Sequence, residues 1–278
     1  MNKRITVPDI LGAKGRRKLT MLTAYDFPTA RWVDQSGVDM ILVGDSLAMV
    51  VLGHEDTLSV GMEEMIHHTK AVSRAAERAL VIGDMPFLSY QAGIEQAVLN
   101  AGRFLKDGRA QAIKLEGGAR VLPQVKAIVA AGIPVQGHLG LTPQSAAQMG
   151  GFKVQGKTAE AAKALIDDAQ ALSEAGCFSI VLEAIPAPIA ARITEAVPIP
   201  TIGIGAGPDC DGQVLVIHDV LGLFDRFIPK FVKQYARLGE PIQEALTRYR
   251  EEVEKGLFPG PEHTFTMDEK EAKKVADV

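Results

Sequence analysis

Short apolar runs recur along this chain, and several stop at a polar residue able to do chemistry. DMILVGDS leads to Asp45, ALVIGDMP to Asp84, AIKLEGG to Lys114 and Glu116, PVQGHLG to His138, and FSIVLEAIP to Glu183. Each run is rich in β-branched residues and flanked by Gly or Pro, the pattern of a strand buried on both faces. Between them lie amphipathic or alanine-rich stretches such as FPTARWVDQSG, MEEMIHHTKAVSRAAE and TAEAAKALIDDAQALSEAG, which predict helices. With KLTMLTAYD as the first strand and PTIGIGAGP and QVLVIHD as the last two, the alternation predicts an α/β chain folded as a (β/α)8 TIM barrel. A charge at the end of a buried strand is costly unless it reaches an open rim. In such a barrel the C-terminal strand ends build the active site, so the five polar termini are expected to converge there.

The remaining segments fit the same plan. Residues 7–13 predict a short leading helix, and a helical region at roughly 229–256 closes the chain. LAMVVLGHEDTLSV is long for a strand-to-helix connection and is a candidate lid. LTPQSAAQMGGFKVQGKT is a second long loop, rich in Gly and Gln. One barrel domain over residues 1–265 accounts for these elements without a linker. The charged tail, 266–278, is expected to be solvated and partly disordered; the alternative is a segment that packs on another subunit.

Composition narrows the class. A chain of 278 residues can bury a large core without a disulfide or structural metal. The formal net charge of -4 argues against a nucleic-acid partner, which would want a basic face. Cys177 and Cys210 are far apart with no CxxC spacing, which fits a reducing, cytoplasmic compartment. The first twenty or so residues carry charges but no continuous apolar stretch of the secretory kind. No run approaches about 18 apolar residues, so no membrane partner is expected.

The strand-end residues suggest specific chemistry. Asp45 or Asp84 alone could be a helix N-cap. Together with Glu116 they would repel at close range unless a cation joined them, and an all-carboxylate set suits a hard divalent ion such as Mg2+. Lys114 and Glu116 are two apart on one strand and so point to the same side. Lys114 is there either as a structural ion pair or as an electrophilic helper. Glu183, among Leu, Ile and Ala, suits proton abstraction near neutrality; the plainer alternative is a carboxylate turned to solvent. His138 is the histidine best placed for a site, whereas His67 and His68 read as helix residues with packed or solvated roles. Gly203, Gly205 and Gly207 lack the GxGxxG spacing of a dinucleotide loop, and close backbone packing or a bound ligand explains them equally well.

LTAYD, DMILVGDSLAMVVLGHEDTLSV, DMPF, IKLEGG, GHLGLTPQ, QGKT, IVLEAIP, IGIGAGPDCDGQVLV and FPGPEHTF closely resemble the ketopantoate hydroxymethyltransferase family. The resemblance runs from about Thr6 to Phe265. It implies a barrel of the phosphoenolpyruvate/pyruvate type, a large homo-oligomer (a decamer) and Mg2+. It also implies transfer of a one-carbon unit from 5,10-methylenetetrahydrofolate to 3-methyl-2-oxobutanoate, through an enolate, to give 2-dehydropantoate for pantothenate synthesis. By position, Asp45, Asp84 and Glu116 are similar to the metal set, and Asp45, Ser46, Asp84 and Lys114 to the 2-oxo acid contacts. Glu183 is similar to the proton acceptor. Apart from the resemblance, the chemistry of the residues leads one to expect Lys114 to support the enolate and His138, at its strand end, to be a further substrate contact. A rival is a carbon–carbon lyase of the same superfamily, which resembles this chain less because neither cysteine sits in a Lys-Arg-Cys-Gly-His loop. A rival of another class is a silent barrel that only binds a metabolite; loss of a strand-end acid or lysine would favour it, and none is lost.

Overall fold

The computed structural model describes residues 3–276. Its eight strands are β1 (Leu19–Thr23), β2 (Met40–Val43), β3 (Leu80–Asp84), β4 (Ala112–Glu116), β5 (Val135–Gly140), β6 (Ser179–Glu183), β7 (Thr201–Ile204) and β8 (Gly212–Leu215). They follow sequence order around a closed barrel, and β8 pairs in parallel with β1. The expected (β/α)8 architecture is what the chain adopts.

Two apolar layers hold it. Outward-facing residues such as Val81, Ile113, Val135 and Ile180 pack against the surrounding helices. Inward-facing Met21, Met40, Leu80, Ala112, Val181 and Val214 fill the barrel. Ile10, on the leading helix Val7–Leu11, joins this interior cluster, so the helix plugs one end. Because strand side chains alternate, the inward positions of β3 read Leu80, Ile82, Asp84 and those of β4 read Ala112, Lys114, Glu116. The barrel interior therefore changes from hydrocarbon at the plugged end to charge at the C-terminal end.

Some element limits differ from the expectation. β2 stops at Val43, so Gly44 and Asp45 lie in the turn beyond it. The run QVLVIHD is divided: β8 ends at Leu215, and Ile217–Leu221 is a helix whose Ile217 N–H donates to Thr23 Oγ1 at 2.9 Å. Apolar content alone does not separate a buried strand from a buried helix, and here the Thr23 hydroxyl receives the first helical N–H. The closing helix spans Gly239–Glu254 rather than starting near 229. Residues 229–238 instead run irregularly, held by Tyr235 N–H to Val220 O at 2.8 Å and Leu238 N–H to Leu221 O at 2.9 Å. The candidate lid contains a short helix, Leu47–Val50, and the second long loop contains a 3-10 turn, Pro143–Ser145, and a helical turn, Ala146–Met149. Within the tail, Glu269–Ala276 is an exposed helix, and residues 277–278 lie outside the described residues. Among the described residues no helix is long and apolar enough to cross a membrane.

Candidate active site

Strand register assembles the charged end of the barrel. Asp84 is the neighbour of Lys114 across β3 and β4, and Glu116 the neighbour of His138 across β4 and β5. Lys114 Nζ lies 2.8 Å from Asp84 Oδ1 and 3.3 Å from His138 Nδ1. His138 Nδ1 is 3.4 Å from Glu116 Oε1, and its Nε2 is 3.2 Å from Glu183 Oε2. Asp45 joins from the turn after β2, where its backbone N–H donates to Asp84 Oδ2 at 3.1 Å. Ser46 follows, its Oγ hydrogen-bonded at 2.8 Å to the Tyr25 hydroxyl. The strand-end residues expected to converge do so.

Burial makes these charges depend on one another. Asp84, Lys114, Glu116 and His138 are each at most 3% exposed, so any ionised form must be balanced inside the site. Burial pushes the Asp45 carboxyl well above the usual range, and repulsion from Asp84 and Glu116 adds to it. Burial also raises Asp84, although Lys114 draws it back. Glu116 goes the other way: burial opposes ionisation, but His138 and Lys114 hold its carboxyl below the usual range. Burial works against the Lys114 charge, yet Asp84, Glu116 and Asp45 together raise it. His138 loses by burial and by proximity to Lys114, and gains more from Glu116 and Glu183, so its pKa rises to about 9. The ring Nδ1 could accept from Lys114 or donate toward Glu116; the raised pKa favours the second.

Glu183 closes β6 and lines the cavity with its side chain 17% exposed, so it does not face bulk solvent. The next residue, Ala184, is held at φ 48°, a left-handed conformation costing roughly 1–2 kcal/mol in a residue with a Cβ. Its N–H is bonded to Ile204 O and its carbonyl to Gln155 N–H, both at 2.9 Å. The turn after Glu183 is thus tied to β7 on one side and to the second long loop on the other.

Above the charged floor is a cavity of about 860 Å3. Its outer wall includes Phe152, Lys153, Phe227, Lys230 and Phe231, from the second long loop and from the irregular segment after the helix Ile217–Leu221. Arg226 links that segment to the candidate lid, donating to Gly53 O at 3.0 Å and His54 O at 3.2 Å. Gly205, at φ 63°, lets Phe231 lie against the end of β7; a Cβ there would be 2.7 Å from the Phe231 ring. At this position the glycine-rich run serves close packing. Asp219 also lines the wall, and burial raises its carboxyl to about 6.

Three residues that sequence reasoning did not single out support the floor. Gln144 reaches Asp45 and Glu116 from the second long loop. The Tyr90 hydroxyl accepts from Glu116 N–H at 3.1 Å and donates to Gln144 Oε1 at 2.8 Å. Tyr25 bonds Ser46, while His68 Nδ1 lies 2.6 Å from the Tyr25 carbonyl oxygen, a packing role as expected for that helix. Gln144 stands within the GHLGLTPQ motif, which was the available signal for it.

A model of the family described as ketopantoate hydroxymethyltransferase matches residues 4–261. The chain belongs to that family. It is 75% identical over 276 residues to the 3-methyl-2-oxobutanoate hydroxymethyltransferase of Syntrophobacter fumaroxidans, covering 99% of this chain and 98% of that one. It is 62% identical to the enzyme of the same name from Moorella thermoacetica, covering 94% and 98% of the two chains. Among solved structures, phosphonopyruvate hydrolase superposes with a TM-score of 0.59 at 12% identity, covering 98% of this chain and 95% of the other. 2,3-Dimethylmalate lyase, a PEP mutase/isocitrate lyase superfamily member, gives 0.58 at 14% identity, covering 97% and 94%. At that identity the likeness concerns the barrel alone.

The ketopantoate hydroxymethyltransferase resemblance implies a divalent cation, and the residues present can be tested for it. Among the described residues no three carboxylate, imidazole or thiolate side chains are drawn into a ready metal cage. The acids are instead bridged by Lys114, His138 and Gln144. Nevertheless Asp84 Oδ1 and Glu116 Oε1 are buried without an aligned hydrogen bond, close to their cationic neighbours but off line from them. Two carboxylate oxygens without an aligned hydrogen bond, beside a third buried acid, are a hard, oxygen-only donor set, which fits Mg2+.

Proposed function

We propose that this chain transfers a hydroxymethyl group from 5,10-methylenetetrahydrofolate to 3-methyl-2-oxobutanoate, giving 2-dehydropantoate in pantothenate and coenzyme A biosynthesis. The observation that carries the proposal is the grouping of Asp45, Asp84, Lys114, Glu116 and Glu183 around one cavity in a family member. A 2-oxo acid needs its carbonyl polarised, its C3 proton removed and its enolate held, and this set has a group for each task.

Asp45, Asp84 and Glu116 would hold Mg2+. When bound, the ion supplies Lewis-acid withdrawal of electrons from the 2-oxo carbonyl. Ser46 orients the substrate carboxylate through its hydroxyl or backbone N–H. Glu183 Oε2 accepts the C3 proton as general base. His138, whose Nε2 is 3.2 Å from that oxygen, keeps the Glu183 carboxylate turned into the cavity. The Lys114 ammonium stabilises negative charge as it develops on the carbonyl oxygen, in a site largely closed to water. Water adds to the methylene bridge of the folate, its two C–N bonds break and tetrahydrofolate leaves, which frees the carbon at the formaldehyde level. The enolate carbon attacks that carbon, and the resulting alkoxide takes up the proton held by Glu183 to give the hydroxymethyl group.

The outer wall suits the folate. Phe152, Phe227 and Phe231 offer faces for a pterin or aminobenzoyl ring, and Lys153 and Lys230 offer cations for its carboxylates. A homo-oligomer is supported by the helix Gly239–Glu254, which buries none of its residues while Ile242, Leu246, Tyr249 and Val253 are all exposed at helical spacing. Two buried free thiols, Cys177 and Cys210, support a reducing, cytoplasmic setting.

The test is an assay with 3-methyl-2-oxobutanoate, methylenetetrahydrofolate and Mg2+, run beside a 2-methylisocitrate-type lyase substrate. Formation of 2-dehydropantoate is the expected result. Cleavage of the lyase substrate without hydroxymethyl transfer would contradict the proposal.

A further inference from the structure

Gln144 lies in the 3-10 turn after β5 and is 5% exposed. A buried amide is costly unless its donors and acceptor are matched. Here all are. Nε2 donates to Asp45 Oδ2 at 3.0 Å and to Met85 O at 2.9 Å. Oε1 accepts from the Tyr90 hydroxyl at 2.8 Å and from Gln91 Nε2 at 3.2 Å. The backbone N–H donates to Glu116 Oε2 at 3.0 Å. Asp45 Oδ2 and Met85 O are both acceptors, so these partners fix which end of the amide carries the hydrogens.

The acids consequently share one pattern. Asp84 Oδ2 accepts from Asp45 N–H, Asp45 Oδ2 from the Gln144 side chain, and Glu116 Oε2 from the Gln144 backbone. One oxygen of each carboxylate is occupied by a protein donor. The second oxygens of Asp84 and Glu116 have no aligned hydrogen bond and face only the cationic neighbours Lys114, at 2.8 Å, and His138, at 3.4 Å. Gln144 is 5% exposed and does not line the cavity, so it meets the acids from their buried side.

We infer that Gln144 is a positioning residue for the cation: its side chain fixes the carboxylate plane of Asp45, and the same side-chain bonds anchor the turn whose backbone N–H occupies one oxygen of Glu116, so that one oxygen of each is left for Mg2+. Tyr90 secures Gln144 in turn by closing its acceptor end and by taking the Glu116 N–H. This inference rests on the metal reading proposed above. It adds a requirement that three acids alone do not impose, because their orientation comes from a loop residue. The same loop carries Phe152 and Lys153 into the outer wall, so the cation site and the second-substrate wall share one support.

The test is calorimetric titration of metal-free protein with MgCl2, without substrate, for the parent, Gln144→Met and Tyr90→Phe. Gln144→Met keeps the volume and removes the side-chain hydrogen bonds. Outer-shell partners of metal ligands typically contribute about 10–100-fold in metal affinity. The Kd for Mg2+ should rise by about that factor in Gln144→Met, and by less in Tyr90→Phe. A folded Gln144→Met that binds Mg2+ like the parent overturns the inference. So does one whose only change is an equal loss of melting temperature with and without Mg2+. If Gln144→Met does not fold, Tyr90→Phe carries the test, and parental Mg2+ affinity in that variant is the overturning result. A parent that takes up no Mg2+ contradicts the metal reading itself, an outcome distinct from a variant that matches a Mg2+-binding parent.

Discussion

Lys114 Nζ and Asp84 Oδ1 lie 2.8 Å apart with both side chains at most 4% exposed, so each is the other's buried countercharge. The pair has two roles in this account, structural in the metal-free protein and electrostatic during turnover. Lys114→Ala should destabilise the metal-free protein by roughly 3–5 kcal/mol, because it leaves Asp84 buried and unpaired. It should lower turnover by about 10²-fold or more, and weaken 2-oxo acid binding less, since the ammonium favours the enolate over the ketone. Chemical denaturation in EDTA and steady-state kinetics measure the two effects. Unchanged turnover with weaker binding would reduce Lys114 to a substrate clamp.

The metal-free protein should lose stability as pH rises from 6.5 to about 9. His138 has a folded pKa of about 9 against the ordinary imidazole value of 6.5, so its contribution is complete below 6.5 and lost as pH passes 9. Asp45 and Asp84 have raised folded pKa values, so their ionisation also penalises the fold as pH rises. Glu116 is lowered, and its contribution is lost only in acid, below this window. His138, Asp45 and Asp84 therefore act in the same direction, and Lys114, also raised, loses its contribution only in more alkaline solution, above this window. Saturating Mg2+ should flatten the decline, because a cation among the acids relieves their repulsion. Urea denaturation across the window, with EDTA or Mg2+, checks it. Stability that rises with pH in EDTA would contradict the assignment.

The outer wall can be separated from the charged floor. Stacking of a nitrogen heterocycle on an aromatic ring is worth roughly 1–3 kcal/mol by alanine substitution. Phe231→Ala should therefore raise KM for methylenetetrahydrofolate by about 5–150-fold, while exchange of the 2-oxo acid C3 hydrogen, which needs no folate, stays near parental. Parallel loss of exchange would show that Phe231 supports the floor and not the folate.

Much of this site was legible because barrel strands are short and buried, so a charge that ends one is conspicuous. Asp84, Glu116 and Glu183 are the last residues of their strands, and Lys114 shares a face with Glu116 by simple alternation. The pairings Asp84 with Lys114 and Glu116 with His138 were not legible, since register between strands is a property of the closed sheet. Gln144 and Tyr90 were missed for another reason. Neither stands at a strand end, and a neutral polar residue in a loop looks the same whether it is solvated or buried with four partners. The run QVLVIHD misled because a hydroxyl from β1, remote in sequence, starts a helix inside it.

The central claim is that Glu183 takes the C3 proton. Base and cation should suffice for enolisation, so the parent with Mg2+ should exchange the C3 hydrogen of 3-methyl-2-oxobutanoate with D2O in the absence of folate. Glu183→Gln keeps the shape of the side chain but removes its basicity, and a general base typically contributes roughly 10²–10⁴-fold. Proton NMR of the C3 position over time should show exchange falling by about that factor in Glu183→Gln, together with overall transfer and with little change in Mg2+ affinity. Exchange at the parental rate in the variant would contradict the account and move the proton acceptor elsewhere.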